Sequence, residues 1–438
     1  MSSPSRRRFL GGSAGAAAAL VLEGCARRSQ APVGISGTTS LSHAAGTAAS
    51  SGRPAQGDLV VKPTPSLYFS EREPGSREMK WGAAKEYGET VPNERFYVHS
   101  RVRPPPIELA AWRLTIDGDA VARPVTLDMD QLRALPEVTI RRTLDCGANC
   151  RSFFPPLPKR AAGEYMPIAF TQWHFGAVGC ADWTGVRVKD VLERAGVQGA
   201  VDVLFAGLDS IPTGEAGGRT EPYAQVIPID KVLAADTLLV YRMNREPLPV
   251  DHGFPLRAIF SGWGGNTAIK WLGRITVSKQ KLPHPTFQAR QIMTGPDIAT
   301  PMLATVGHVR SALELDEGLT VDPGDIVLRG RAWSGANAIT SVDVCVEKLV
   351  GPGTWRPVWT PAWRPAQLLA KPEPLVWARF ELPWSGVQPG RYRVMTRARD
   401  ASGNVQPRPE DVVWNQQGLG YNGHAPLEVM VGVPTMMP

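Results

Sequence analysis

Apolar and polar positions alternate with a period of two over 112–119, which closes on the turn pair Asp117-Gly118, and again over 138–144. Both segments predict strands, because alternate side chains of a strand face opposite sides of a sheet. Val188, Val191, Leu192 and Ala195 fall instead at helical spacing, with Gly196 behind them, so 186–195 predicts one amphipathic helix that stops at the glycine. Short β-branched or aromatic runs at 201–205, 237–241, 256–260 and 275–278 add further strands. Pro and Gly punctuate them, and the stretch 76–300 reads as an α+β domain of mixed sheet with loops long enough to carry a site. Past Pro301 the helical period vanishes. Runs at 326–333, 341–347, 377–382 and 392–398 predict an all-β block over 301–438, arranged as a sandwich, with Cys345 a mid-strand core residue.

Ahead of these blocks the pattern is different. Ser5-Arg6-Arg7-Arg8-Phe9-Leu10 precedes a small, apolar, uncharged stretch over 11–22, which has the charged and hydrophobic regions of an export signal but is too short to span a membrane. The paired arginines resemble the signal of the twin-arginine pathway, which carries folded and often cofactor-loaded cargo. The expectation is a signal over 1–30 and a periplasmic or exported protein. Leu22-Glu23-Gly24-Cys25 has the form of a lipoprotein processing site, so Cys25 is either a lipid anchor on the membrane or removed with the signal. The segment 31–75 is rich in Ser, Thr, Ala, Gly and Pro without apolar periodicity and reads as a flexible linker.

Composition narrows the function classes. The chain has 438 residues, 44 Gly, 40 Pro and a formal net charge of +7. Removing the signal arginines leaves only a modest positive surplus, suited to steering an anionic small molecule or an acidic partner. No Lys/Arg block interleaved with aromatics is present, which excludes nucleic acid as an expected partner. Five cysteines (Cys25, Cys146, Cys150, Cys180, Cys345) are too few and too scattered for a disulfide framework.

The chemistry concentrates at the end of the second strand, in Thr143-Leu-Asp-Cys-Gly-Ala-Asn-Cys-Arg-Ser152. A thiolate suits a redox metal, and the small residues behind it let backbone amides approach an anion. Cys146 and Cys150 are also spaced as half of a zinc site or as a local disulfide. Zinc needs two more ligands, and no second Cys/His cluster exists to supply them.

This segment resembles the Cys-Ala-Gly-Asn stretch of the sulfite oxidase family, with Gly147-Ala148 in swapped order. The resemblance continues in family order through Gly176-Ala177-Val178, the segment 183–192, Gly207-Leu-Asp-Ser210, the segment 244–257 and the segment 268–275. Gly330-Arg-Ala-Trp-Ser334, the segment 400–407 and Trp414-Asn415 are similar to the family's C-terminal immunoglobulin-like domain. The resemblance implies a molybdenum–molybdopterin cofactor with Cys146 as its protein ligand to the metal, and a homodimer formed through the second domain. Asp209, His252, Arg257 and Lys270 would grip the pterin and its phosphate, with Ala268 and Ile269 beside them and Tyr97, Val98, His99, Ser100 and Arg101 in a further cofactor-binding segment. Arg151 and Trp173 match a pocket arginine and tryptophan, and with His99, Arg101 and Cys146 make up the implied catalytic set.

Three departures touch the substrate pocket. Tyr97-Val-His-Ser-Arg101 stands where the family has Phe-Val-Arg-Asn-His, so histidine and arginine have exchanged places. The family's pocket tyrosine has no counterpart in 279–300, where Ile292 lies near its position. The arginine that follows Trp-Asn is replaced by Gln416-Gln417. Fewer cations weaken the case for a sulfite dianion specifically. With no Cys-x-x-Cys-His in the sequence, electrons would pass to an external c-type cytochrome or similar carrier. The leading expectation is two-electron oxidation of sulfite or a related small sulfur compound. The alternatives are reduction of a sulfoxide or N-oxide on the same cofactor, or a cofactor-free exported binding protein.

Overall fold

The computed structural model describes residues 58–154, 171–213, 219–316 and 318–432. The expected signal, Cys25 and most of the linker lie outside the described residues. Asp58 to Gly75, expected as linker, is folded against the domain: Phe69–Glu73 pairs with Ser76–Met79, which pairs in turn with Val98–His99. Val61 and Lys62 donate their backbone amides to the buried Asp251 carboxylate. The Ser/Pro-rich composition conceals this because the partners lie far along the chain.

Two sheets form the centre of the first domain. One runs Ala224–Pro228, Asp202–Gly207, Leu272–Ser278, Leu114–Asp117, Val125–Leu127, with a single parallel pairing between the third and fourth strands. The other runs Glu246–Pro247, Thr237–Met243, Val178–Arg187, Glu137–Asp145, with Arg257–Phe260 also paired to Thr237–Met243. The sheet is mixed, as expected. Between the sheets lies an apolar cluster in which Ile116, Phe205 and Ile275 meet Val186, Leu239 and Phe260. The helix is Val188–Arg194: the preceding strand claims the first two predicted residues, and Gly196 turns the chain out at φ +67°. A second helix, Met129–Arg133, carries a capping box between Asp128 and Gln131 that the sequence displays plainly, although sequence reading named a single helix.

The other face of the second sheet packs Leu144, Cys146, Val178 and Trp183 against Phe96, Tyr97 and Trp81, and then against Ala312, Trp333 and Trp377 of the C-terminal block. That block is an immunoglobulin-like sandwich. Arg310–Leu313, Gly324–Trp333, Ala378–Val387 and Gln367–Leu368 form one sheet, and Ile339–Gly351, Gly390–Asp400 and Leu427–Val431 lie at the centre of the other. Leu328, Phe380 and Trp384 from the first interdigitate with Val342, Val344 and Val394 from the second. Cys345 is buried in the long strand.

Candidate active site

Cys146 sits where the strand Glu137–Asp145 ends. Its amide still bonds to Ala177 O at 2.9 Å, after which Asn149 N returns to Cys146 O at 2.8 Å and Cys150 adopts φ +67°, folding the loop back under the thiol. Asn149 holds this loop to the neighbouring strand entry through Ala177 N and Phe175 O. Gly147 leaves room for the Asn266 side chain: a Cβ there would lie 2.4 Å from Asn266 Oδ1 and would push that side chain aside. Immediately before the cysteine, the buried Asp145 is ion-paired to the buried Arg310 and accepts from Trp333 Nε1 at 3.0 Å, which ties the strand end to the sandwich. Cys146 and Cys150 are both free thiols, so the local-disulfide alternative is not realised, and no cluster of three or more metal-binding side chains exists among the described residues.

The thiol opens on a cavity of about 210 Å³. Tyr97, Val98, His99, Ser100, Arg101, Arg151, Trp173, Asp209, His252, Arg257, Ala268 and Lys270 all line it with Cys146. Ile269 does not. Its side chain belongs to the apolar cluster between the sheets, and both of its backbone groups bond to Ala258, so neither reaches the cavity.

One wall gathers buried cations. Lys270 Nζ donates to Ser100 Oγ at 2.5 Å and to the carbonyls of His99 and Asp251 at 3.0 Å each. Arg257 donates through Nη1 to His252 O at 3.2 Å, and its Nε has no partner among the described residues. Lys62 reaches the back of this wall, 3.1 Å from His252 Nε2. Burial pushes Lys62 and Lys270 down to about 7, and burial with Lys62, Arg257 and Lys270 nearby holds His252 well below its usual range, so it is a neutral imidazole. Asp209 accepts from Tyr223 N at 2.9 Å, and burial raises its carboxyl.

The opposite wall holds the exchanged pair. His99 is pushed down to about 3 by burial and by Arg101, Lys270 and Arg151, so it is uncharged. Arg101 is exposed at the rim, 5.4 Å from the Phe287 ring centroid, and Arg290 lies 5.3 Å from the same ring. Arg151 is buried and donates to Gly418 O and Thr171 O at 3.0 Å each, with Trp173 beside it in the wall. The expected Arg101 and Arg151 both line the cavity, and Arg290, which sequence reasoning did not name, lines it with them. Arg290 was missed because it follows a four-residue helix, Thr286–Ala289, that carries no periodic signal.

The missing tyrosine has a similar outcome. Ile292 pairs with Leu303 and does not line the cavity, whereas Tyr223 comes in from another loop, its hydroxyl donating to Asn266 O at 2.5 Å and accepting from Gln291 Nε2 at 2.8 Å. Gln417 lines the cavity, but its amide is used in two bonds with Thr294.

A fold of this kind, with a buried cysteine facing buried cations, defines a class. Residues 101–286 match the family profile described as an oxidoreductase molybdopterin binding domain. Sulfite oxidase of Gallus gallus is 30% identical over 347 residues, covering 75% of this chain and 70% of that protein. Mitochondrial sulfite oxidase of Homo sapiens is 31% identical over 356 residues, covering 78% of this chain and 62% of that protein. The sulfane dehydrogenase SoxCD from Paracoccus pantotrophus shares the fold, with a TM-score of 0.66 at 20% identity over 83% of this chain and 86% of that one. The chain therefore belongs to the sulfite oxidase family. It spans between about three fifths and seven tenths of the length of the animal relatives it matches.

The donor set fits the cofactor of that class. Arg257 is buried and Lys270 partly buried, their bonds in the cavity go to neutral groups, and Arg257 keeps an unpaired Nε. Buried cations of this kind call for an anion, which a pterin phosphate supplies. Burial likewise raises the Cys146 thiol, so a thiolate there needs a cation beside it, which a metal supplies. Cys146 would bind molybdenum, and His252, Arg257, Lys270 and Asp209 would hold the pterin.

Proposed function

We propose that this protein oxidises a small sulfur oxyanion, sulfite being the leading candidate, and passes the electrons one at a time to an external carrier such as a c-type cytochrome. The observation that carries this reading is the ring of Arg101, Arg151 and Arg290 on the cavity into which Cys146 opens. An oxyanion is held by such charge-assisted donors, whereas a neutral sulfoxide or N-oxide has no need of three guanidinium groups.

Bound molybdenum would supply the two-electron redox chemistry. The chain's own part is to collect the anion at the two exposed arginines of the rim, Arg101 and Arg290, and seat it against the buried Arg151 and Trp173. Water and sulfite then give sulfate, two protons and two electrons. The twin-arginine sequence supports a periplasmic location, with lipidation of Cys25 as one form of it, and the immunoglobulin-like sandwich is proposed as the surface of a homodimer.

The test is metal and pterin analysis of the purified protein, followed by ferricyanide-coupled assays with sulfite, thiosulfate and sulfoxides. About one molybdenum per chain with sulfite-dependent reduction of ferricyanide is expected. A metal-free folded protein, or turnover in the direction of sulfoxide reduction alone, overturns the reading.

A further inference from the structure

His99 lines the cavity, and the residues behind it determine what it offers the substrate. The hairpin Phe69–Glu73 to Ser76–Met79 sets Glu73 opposite Ser76, and the next pairing sets Ser76 opposite His99. The side chains follow that register. Ser76 Oγ lies 3.2 Å from Glu73 Oε1 and 2.8 Å from His99 Nδ1.

A hydroxyl has one hydrogen to give. Ser76 donates it to Glu73 Oε1, the same oxygen that Thr171 Oγ1 also donates to. The contact between Ser76 and His99 must then be made by a hydrogen on Nδ1. In a neutral imidazole that leaves Nε2 as a bare acceptor. His99 lines the cavity with part of its surface open, and Nε2 has no protein partner among the described residues. The charged groups facing this ring are Arg101, Lys270 and Arg151 from the cavity and Glu73 through Ser76, and burial together with the three cations keeps the ring from taking a second proton.

Resting on the function proposed above, we infer that His99 is a specificity-determining residue, held by Glu73 and Ser76 with Nε2 as an acceptor, and that the site selects a singly protonated sulfur oxyanion over the dianion. The three arginines meet the charge, and the bare nitrogen meets the hydrogen that the monoanion carries. A dianion brings no hydrogen to that position and leaves the acceptor without a donor from the substrate. Sites built this way discriminate strongly against a ligand that lacks the matching donor.

Two measurements test this, and they separate it from the substrate reading. In ¹⁵N-histidine-labelled holoenzyme, with seven histidines in the chain and the His99 signal identified by its loss in His99→Gln, the expected spectrum is a neutral ring with hydrogen on Nδ1. Hydrogen on Nε2, or a charged ring at neutral pH, overturns the inference whatever the substrate proves to be. In the kinetic arm, kcat/KM for sulfite in the wild-type protein should fall about tenfold for each pH unit above the second dissociation of sulfite. The fall should lie in KM and not in kcat.

The variant His99→Arg should lose that fall, because a guanidinium accepts the dianion. Lys270 is common to both proteins and does not create the difference. Ser76→Ala should let the ring hydrogen move to Nε2 and raise KM several-fold with kcat little changed. Identical pH profiles in wild type and His99→Arg overturn the inference. Absence of sulfite turnover at every pH in metal-replete wild type overturns the substrate reading instead, and the ring-nitrogen spectrum then decides the acceptor role by itself.

Discussion

Replacing Arg310 by methionine removes one partner of the buried pair that anchors the residue before Cys146. Arg310 and Asp145 are 2% and 7% exposed, and Arg310 also donates to Tyr421 O at 2.7 Å. Methionine fills much of the volume, so the packing loss is small, and the cost comes from leaving Asp145 without its cation. Breaking a buried pair from one side destabilises by about 3–5 kcal/mol. Burial already raises the Asp145 carboxyl, and loss of Arg310 raises it further.

The native state of the variant then binds a proton that the unfolded chain has released, over the window between the ordinary carboxylate range and the raised value. Through that window stability falls as pH rises. Denaturant unfolding of Arg310→Met from pH 5 to pH 8 should show a deficit that widens with pH. The double variant Arg310→Met/Asp145→Asn should recover most of it, since no charge is then left unpaired. A single-variant deficit below about 1 kcal/mol at pH 8, or no recovery in the double variant, refutes the reasoning.

The remaining predictions concern the cavity directly. In metal- and pterin-free protein, Cys146→Ser should keep the unfolding free energy within about 1.5 kcal/mol of wild type, because the change is small in volume, while the molybdenum content and turnover of the protein made with cofactor drop to background. Retained molybdenum and full turnover would remove the ligand assignment. In metal- and pterin-free protein, Lys62 and Lys270 are both pushed down to about 7. Between there and the ordinary lysine range the unfolded chain binds more protons, so that form should gain stability as pH rises from 6 to 9. Added sulfate, a dianion throughout, should stabilise it more at pH 6 than at pH 9, and a melting-temperature series with the opposite trend would show that these lysines are not the anion wall.

Much of the site was legible because its residues sit in ordered local contexts. The cysteine ends an alternating strand, and Arg257 and Lys270 flank short strands whose apolar positions set the register. Ile269 shows the limit of that reading: after the turn Gly265–Thr267 the backbone is extended and Ile269 bridges Ala258, so the adjacent side chains of Ala268 and Ile269 point to opposite sides and only Ala268 faces the cavity. What remained hidden depends on long-range closure. Lys62 meets His252 across 190 positions, and Glu73 meets Ser76, which in turn meets His99, in a sheet whose first strand lies in Pro/Ser-rich surroundings. Tyr223 and Arg290 supply a hydroxyl and a cation that sequence alignment by motif looked for elsewhere, because side chains of equivalent chemistry reach one cavity from different loops.

The carbonyl of Gly147, next to the candidate metal ligand, is bonded by Gly420 N at 2.8 Å, and Gly418 O holds Arg151 from 267 positions away. A ribosome that has made the whole first domain has therefore not yet made the wall behind the cysteine loop. That wall closes only after residues 418 to 420 have been made, so a shortened chain ending before the sandwich should be a poor acceptor of the pterin.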